Sequence, residues 1–238
     1  MDKSIQDEFI ATVSHELRTP LTSIRGFSQT LLTSWDKLDD NSKKRFISII
    51  GEQSERLIHL VENILSVSKM NSNNTIMNEV NVNAAINKLM PIFNEQYKSH
   101  KIVLSLQNPL PTVRLDEDKF HQIMTNLVDN AAKYSSADSP IFISTLLCGE
   151  SVRISVKDEG VGIKEKDFSK IFQKFSRLEN HLTSKTQGNG LGLYITKQIV
   201  EKMNGSISFT SKEGRGTEFV VEFPLYNQED VLRCSQQS

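Results

Sequence analysis

Cysteine is scarce in these 238 residues, with only Cys148 and Cys234 present. The two offer neither a metal-ligand spacing nor a disulfide framework, which excludes stapled secreted scaffolds and thiolate zinc sites. A reducing cytosol fits better. Long apolar runs are also missing: no stretch approaches the ~18 residues that a membrane span requires. Met1-Asp2-Lys3-Ser4 opens no signal peptide. The expected location is therefore the cytoplasm, either as a free protein or as the cytosolic part of something larger. Excess charge of one sign is absent as well: 28 basic against 29 acidic residues leave a net charge of −1. No bulk field points to nucleic acid or to a membrane surface. Internal repeats and low-complexity tracts do not occur. Neither does a Gly-x-x-x-x-Gly-Lys-Ser/Thr loop, nor a His-Glu-x-x-His pair, since Thr19 stands four residues after His15. A P-loop nucleotide site and a zincin are thereby excluded.

The chain is long enough for one large or two modest domains, and its pattern changes once. Apolar residues at Ile10, Val13, Leu17, Leu21, Ile24 and Leu31 recur at helical spacing, predicting an amphipathic helix from about Ile5 to Thr33. Asp39, Asp40, Asn41 and Ser42 suit a helix start. The second helix carries Phe46, Ile50, Gln53, Leu57, Leu60, Ile64 and Val67 on a heptad-like spacing. A hairpin this long exposes an apolar stripe that two helices cannot cover. Dimerisation into a four-helix bundle answers that exposure, and docking onto the rest of the chain is the alternative. Asn71-Ser72-Asn73-Asn74 reads as a linker.

Beyond the linker the pattern is mixed. Helices are expected over Asn83 to Tyr97, Asp116 to Lys133 and Gly188 to Met203. Strands are expected over Ile102 to Leu106, Thr112 to Leu115, Ile141 to Leu147, Val152 to Val156, Ser206 to Thr210 and Glu218 to Phe223. Phe120, Ile123, Met124, Leu127 and Val128 form the buried side of the middle helix. This order predicts an α/β two-layer sandwich, with helices on one face of a mixed sheet and a frayed tail after Leu225.

His15 lies about 200° from Val13 and about 160° from Leu17 around the first helix, so it points away from the apolar stripe. Thr19, one turn on, shares its face. Glu16 can accept the Nδ1 proton of an adjacent imidazole, which would leave Nε2 free as a nucleophile. Pro20 cannot donate to the carbonyl of Glu16, so the helix is expected to loosen there.

Four segments of the second half carry polar or glycine-rich chemistry. Asn126 and Asn130 stand four residues apart on one helical face, and an amide oxygen there suits Mg²⁺. Lys133 and Tyr134, one turn on, can meet a phosphate and a base or ribose. In Asp158-Glu159-Gly160-Val161-Gly162 the glycines permit close backbone approach, and a carboxylate at a strand end can accept the exocyclic amine of adenine. Gly188-Asn189-Gly190-Leu191-Gly192-Leu193 opens a helix whose N–H groups can cradle phosphate. Gly214-Arg215-Gly216-Thr217 makes a last glycine turn. Between the two main glycine segments lie roughly 25 residues without a confident strand, the length of a lid anchored by Phe172 and Phe175. Alone, each segment is also compatible with ordinary turns and solvated helix faces.

Ser14-His15-Glu16-Leu17-Arg18-Thr19-Pro20-Leu21 resembles the H box of bacterial sensor histidine kinases. Asn126-Leu127-Val128-Asp129-Asn130 resembles their N box, and Asp158-Glu159-Gly160-Val161-Gly162 their first G box. Phe172-Gln173-Lys174-Phe175 is similar to the F box, and Gly188-Asn189-Gly190-Leu191-Gly192-Leu193 to the second G box. The resemblance runs from about Phe9 to Pro224 in the family's order. It implies a dimerisation and phosphotransfer domain over residues 1–72 and an ATP-binding domain of the gyrase, Hsp90 and MutL superfamily over 78–225. The implied reaction moves the γ-phosphoryl group of ATP to Nε2 of His15, then to an aspartate on the receiver domain of a response regulator. The resemblance makes Glu16 a base or orienting group, and gives Thr19 the positioning of water for dephosphorylating the regulator. Asn126 and Asn130 would hold Mg²⁺, Asp158 would read adenine, Lys133 would meet phosphate and Arg177 would reach the γ-phosphate. Gly160, Gly162, Gly188, Gly190, Leu191, Gly192, Leu193, Tyr134 and Thr217 would complete the nucleotide site. A hydrolytic ATPase of the same superfamily and a nucleotide-inert interaction module are the alternatives.

Overall fold

The computed structural model describes residues 3–69, 76–176 and 190–226. The linker at 71–74, Arg177, Gly188 and the polar run 181–187 lie outside the described residues. Two compact units result, one on each side of that linker.

The first unit is a helical hairpin. Helix α1 spans Lys3–Ser34, a single 3-10 turn follows at Trp35–Lys37, and α2 spans Asp40–Lys69. Asp39 caps α2: its carboxylate accepts from the Ser42 backbone at 2.9 Å and from the Ser42 hydroxyl at 2.7 Å. Those two donors hold its pKa below the ordinary value. The α2 stripe is as expected where it is described, with Leu60 buried and Phe46, Ile50, Gln53, Leu57 and Ile64 half-buried. Phe46 meets Phe27 of α1 at 5.1 Å between ring centroids. Helix α1 departs from expectation twice. It continues unbroken through Pro20, whose ring is buried. Leu21, expected in the stripe, is 53% exposed. Pro20 and Leu31 are eleven residues apart, a separation that returns to the same helical face, and Leu21 falls on the flank that one partner helix leaves open.

The second unit is a two-layer α/β sandwich. A five-stranded sheet has the order β2 (Lys101–Leu106), β4 (Pro140–Cys148), β5 (Ser151–Lys157), β7 (Gly216–Pro224) and β6 (Ser206–Lys212). β2 runs parallel to β4 and all other neighbours are antiparallel. Helices α3 (Val82–Gln96), α4 (Glu117–Tyr134) and α5 (Gly192–Lys202) supply the other layer. Alternation decides which strand residues face them: Ile141, Ile143 and Thr145 of β4, Val152, Ile154 and Val156 of β5, and Phe219, Val221 and Phe223 of β7 are buried. The helices answer with Ile86, Leu89 and Phe93 on α3, and with Phe120, Ile123, Met124, Leu127 and Val128 on α4. Asn81 and Asp116 cap α3 and α4 through the N–H groups of Ala84 and Lys119.

Two features differ from expectation. A short strand β1 (Asn78–Val80) pairs with β3 (Val113–Leu115) outside the main sheet. The last helix begins at Gly192 rather than Gly188. The cause is Gly190, whose φ of +67° is not helical and whose missing Cβ would lie 2.6 Å from the carbonyl carbon of Phe175.

Candidate active site

In the hairpin, His15 projects into solvent, its side chain 77% exposed. Thr19 sits one turn further along, and its hydroxyl donates to the His15 carbonyl at 3.3 Å. Both groups are therefore open to a reacting partner. Glu16 behaves differently. Its Oε1 lies 4.0 Å from His15 Nδ1, beyond hydrogen-bond reach, because consecutive residues on a helix do not face each other. Its Oε2 is instead 3.3 Å from a guanidinium nitrogen of Arg56 on α2. Sequence reading missed Arg56, which is 40 residues from Glu16 and belongs to no motif.

The second unit builds a cradle from distant segments. Asp158 ends β5 and is 4% exposed. Its Oδ1 accepts from the N–H groups of Gly160 at 2.8 Å and Thr217 at 3.2 Å. Among the described residues its Oδ2 takes no hydrogen bond, which leaves that oxygen for a donor brought by a ligand. Burial pushes its pKa up to about 6, and the two N–H groups pull against that rise. Close backbone approach explains the glycines. A Cβ at Gly160 would meet the Tyr134 carbonyl oxygen at 2.1 Å, one at Gly162 the Lys212 oxygen at 2.1 Å, and one at Gly216 the Asp158 oxygen at 2.0 Å. Ser211, also missed, ties the turn together. Its hydroxyl accepts from Ile163 N at 2.8 Å, donates to Gly216 O at 3.0 Å and lies 2.9 Å from Thr217 Oγ1.

Helix α4 brings the carboxamides beside this cradle. Asn126 donates through Nδ2 to Thr196 Oγ1 of α5 at 3.3 Å, and a Cβ on Gly192 would stand 3.7 Å from its Oδ1. That oxygen thus faces the start of α5, which has no side-chain cap. Its first-turn N–H groups have no acceptor within the helix and suit a phosphate. Asn130 is half-buried on the same face. Among the described residues no three His, Cys, Asp or Glu side chains group to hold a metal. Amide oxygens fit a hard cation such as Mg²⁺ only if phosphate and water complete its shell.

Other expected residues are placed less simply. Lys133 pairs with Asp129, one turn before it, rather than standing free. Asp129 also lies beside the Tyr97 hydroxyl, which burial and that carboxylate keep protonated well above its ordinary range. Tyr134 contributes its backbone carbonyl, which accepts from Val161 N at 3.0 Å. Leu191 is fully buried, so its side chain belongs to the core, whereas Leu193 is half-buried on α5. Phe172 anchors the long connection against Phe209 at 5.9 Å, and Phe168, not anticipated, does so at 4.9 Å. Phe175 contributes backbone: its φ of +57° brings it against Gly190.

The family described as "His Kinase A (phospho-acceptor) domain" matches residues 5–73. That described as "Histidine kinase-, DNA gyrase B-, and HSP90-like ATPase" matches 115–227. "Sensor protein kinase WalK" of Staphylococcus haemolyticus is 38% identical over 221 residues, 91% of this chain and 36% of the relative. The protein of the same name from Staphylococcus aureus is 35% identical over 227 residues, 94% of this chain and 54% of the relative. The chain thus spans a third to a half of the length of these curated relatives. Among solved structures, Acinetobacter baumannii histidine kinase AdeS aligns with a TM-score of 0.68 and 25% identity, covering 90% of this chain and 98% of that one. Histidine kinase ThkA, crystallised with response regulator protein TrrA, aligns with a TM-score of 0.77 and 29% identity, covering 94% and 63%.

Proposed function

The chain belongs to the sensor histidine kinases, carrying their phospho-acceptor and ATPase domains, and from that premise we propose that it autophosphorylates His15 from ATP and passes the group to a response regulator. The observation that carries the reading is the Asp158 carboxylate, buried with one oxygen fixed by backbone N–H groups and the other open. Holding the turn uses only Oδ1, so the second buried oxygen is left to accept an amine such as that of a purine.

In this reading Asp158 Oδ2 accepts from the adenine amine, while the start of α5 and Lys133 receive phosphate oxygens. Lys133 must leave Asp129 to do so. Asn126 and Asn130 would hold Mg²⁺, which would supply charge neutralisation on the phosphates. Nε2 of His15 forms a bond to the γ-phosphorus as the bond to the bridging oxygen breaks, its electron pair remaining on ADP. Glu16 takes the Nδ1 proton, so the phosphorylated ring does not retain a positive charge. Little further covalent chemistry is needed, and catalysis rests on placing the reactants. Thr19, on the same exposed face, orients the water that hydrolyses the regulator's acyl phosphate. The working unit is a homodimer formed through the hairpin, and the partner is a receiver domain bearing an aspartate.

Incubation with γ-labelled ATP tests the proposal. Acid-labile, alkali-stable label that disappears in His15→Gln is expected. ATP hydrolysis without label would mark a clamp-type ATPase instead, and absence of both binding and label an inert module.

A further inference from the structure

We propose that Arg56 is a positioning residue for phosphoryl transfer to His15: bound to one oxygen of Glu16, it keeps the other turned towards Nδ1. The inference rests on His15 being the phosphoacceptor, and it concerns a residue on the other helix of the hairpin.

Three distances define the arrangement. Arg56 Nη2 is 3.3 Å from Glu16 Oε2, Glu16 Oε1 is 4.0 Å from His15 Nδ1, and Thr19 Oγ1 is 3.3 Å from the His15 carbonyl. Adjacent helical side chains diverge by about 100°, so nothing in α1 itself aims Glu16 at His15. A glutamate with three free torsions would spend little time near Nδ1. The tether changes that. Side-chain exposures of 18% for Glu16 and 22% for Arg56, against 77% for His15, place the ion pair in the groove between the helices. There it is less screened than a surface pair. The guanidinium engages Oε2, leaving Oε1 as the oxygen nearer the imidazole.

The chemistry uses that oxygen. As Nε2 gains its bond to phosphorus and the γ-phosphorus to bridging-oxygen bond breaks towards ADP, positive charge builds on the ring. Transfer of the Nδ1 proton to Oε1 removes it and leaves neutral phosphohistidine. Closing 4.0 Å to hydrogen-bond distance needs a shift of about 1 Å, which a carboxylate pivoting on its tethered oxygen can make.

The test is Arg56→Met in the full chain, read as initial autophosphorylation rate against ATP concentration. A maximal rate lower by about ten-fold or more, with half-saturating ATP unchanged, is expected from loss of an oriented base. Arg56→Lys should recover part of the rate. ¹⁵N spectra should show the Nδ1–H form of His15 less populated in Arg56→Met. The double variant Glu16→Gln/Arg56→Met should be no slower than Glu16→Gln alone. A folded Arg56→Met protein with normal maximal rate, a faster one, or losses that multiply in the double variant would each overturn the proposal. If Arg56→Met loses helicity by circular dichroism, Arg56→Lys and Arg56→Gln carry the comparison. Rates falling in the order Arg, Lys, Gln support the role, and equal rates overturn it. Label that persists in His15→Gln would instead refute the phosphoacceptor reading, a result separable from all of these.

Discussion

Asp158 holds the sharpest conflict between stability and use. Its pKa, raised from 3.8 to about 6 mainly by burial, makes the folded state bind a proton more tightly than the unfolded chain does. Its stabilising contribution is therefore complete below about pH 4 and is lost as pH rises through about 6. Asp158→Asn removes the buried charge, and its amide oxygen can still accept from Gly160 and Thr217. We expect the variant to gain up to about 3 kcal/mol at pH 7.5 and much less at pH 4.5. Its Nδ2 would then face the adenine amine donor to donor, so ADP affinity should collapse. Urea unfolding at the two pH values and titration calorimetry read both effects; equal destabilisation at both pH values would refute the account. Glycines nearby permit a second comparison. Gly216→Ala meets the Asp158 backbone in addition to a φ of +91°, and should cost more than about 3 kcal/mol. Gly214→Ala, at φ +74° with open space around it, should cost only about 1–2 kcal/mol. Similar midpoints for the two would show that the close approach is not what Gly216 serves.

Between elements, the contact that matters most runs from α4 to α5. Thr196 is fully buried and takes the Asn126 amide hydrogen, so that Asn126 presents its oxygen to the N-terminal end of α5, where the proposed function puts phosphate. Thr196→Val should leave that donor unsatisfied and cost about 1–3 kcal/mol, while weakening nucleotide binding in Mg²⁺ more than in EDTA. Thr196→Ser should behave as wild type, and a Thr196→Val protein with unchanged Mg²⁺ dependence would detach Thr196 from the site. On α1 the expected separation is functional: Thr19→Ala keeps autophosphorylation and loses regulator dephosphorylation, and parallel loss of both would join the roles. Periodicity made α4 and β4 legible, because Phe120 to Val128 and Ile141 to Thr145 each span enough turns or pleats to repeat. Strand β1 has only three residues and one buried side chain, Val80, too few for any period. Gly190 was read as helical because a glycine's φ leaves no mark in composition. The Asp129–Lys133 pair is legible in its four-residue spacing, but that spacing does not say whether Lys133 meets the carboxylate or a phosphate. Arg56 lacked even that signal, since nothing in a sequence marks which residue on the return helix meets Glu16.

At the scale of the whole molecule, the hairpin leaves a second apolar seam that its own two helices do not cover. On α2, Ile47, Ile58, Val61 and Leu65 are 53, 50, 44 and 49% exposed, and on α1 Leu21 and Leu32 are 53 and 85% exposed. At 100° per residue the four α2 positions fall within about 60° of one another, and the two α1 positions within about 20°. Scattered exposed apolar residues are ordinary, but residues aligned on one side of each helix make the pattern of an interface. A second hairpin supplying the same stripes in reverse would close it as a four-helix bundle with twofold symmetry. Ile58→Glu combined with Leu65→Glu would place charges in that interface, while in the single chain both positions already face solvent. The double variant should therefore sediment as a monomer at concentrations where the parent sediments as a dimer, and its hairpin should melt earlier, because the parent gains stability by association. Ile92→Glu is the control: it is equally exposed, at 58%, but lies on α3 of the other unit, and it should leave the mass unchanged. Ile58→Glu/Leu65→Glu remaining dimeric would move the interface elsewhere; a monomeric parent would mean that the seam is covered within the chain. Autophosphorylation by the monomeric variant would further decide whether one hairpin suffices for the reaction, since loss of label with intact ATP binding requires the second subunit in the transfer itself.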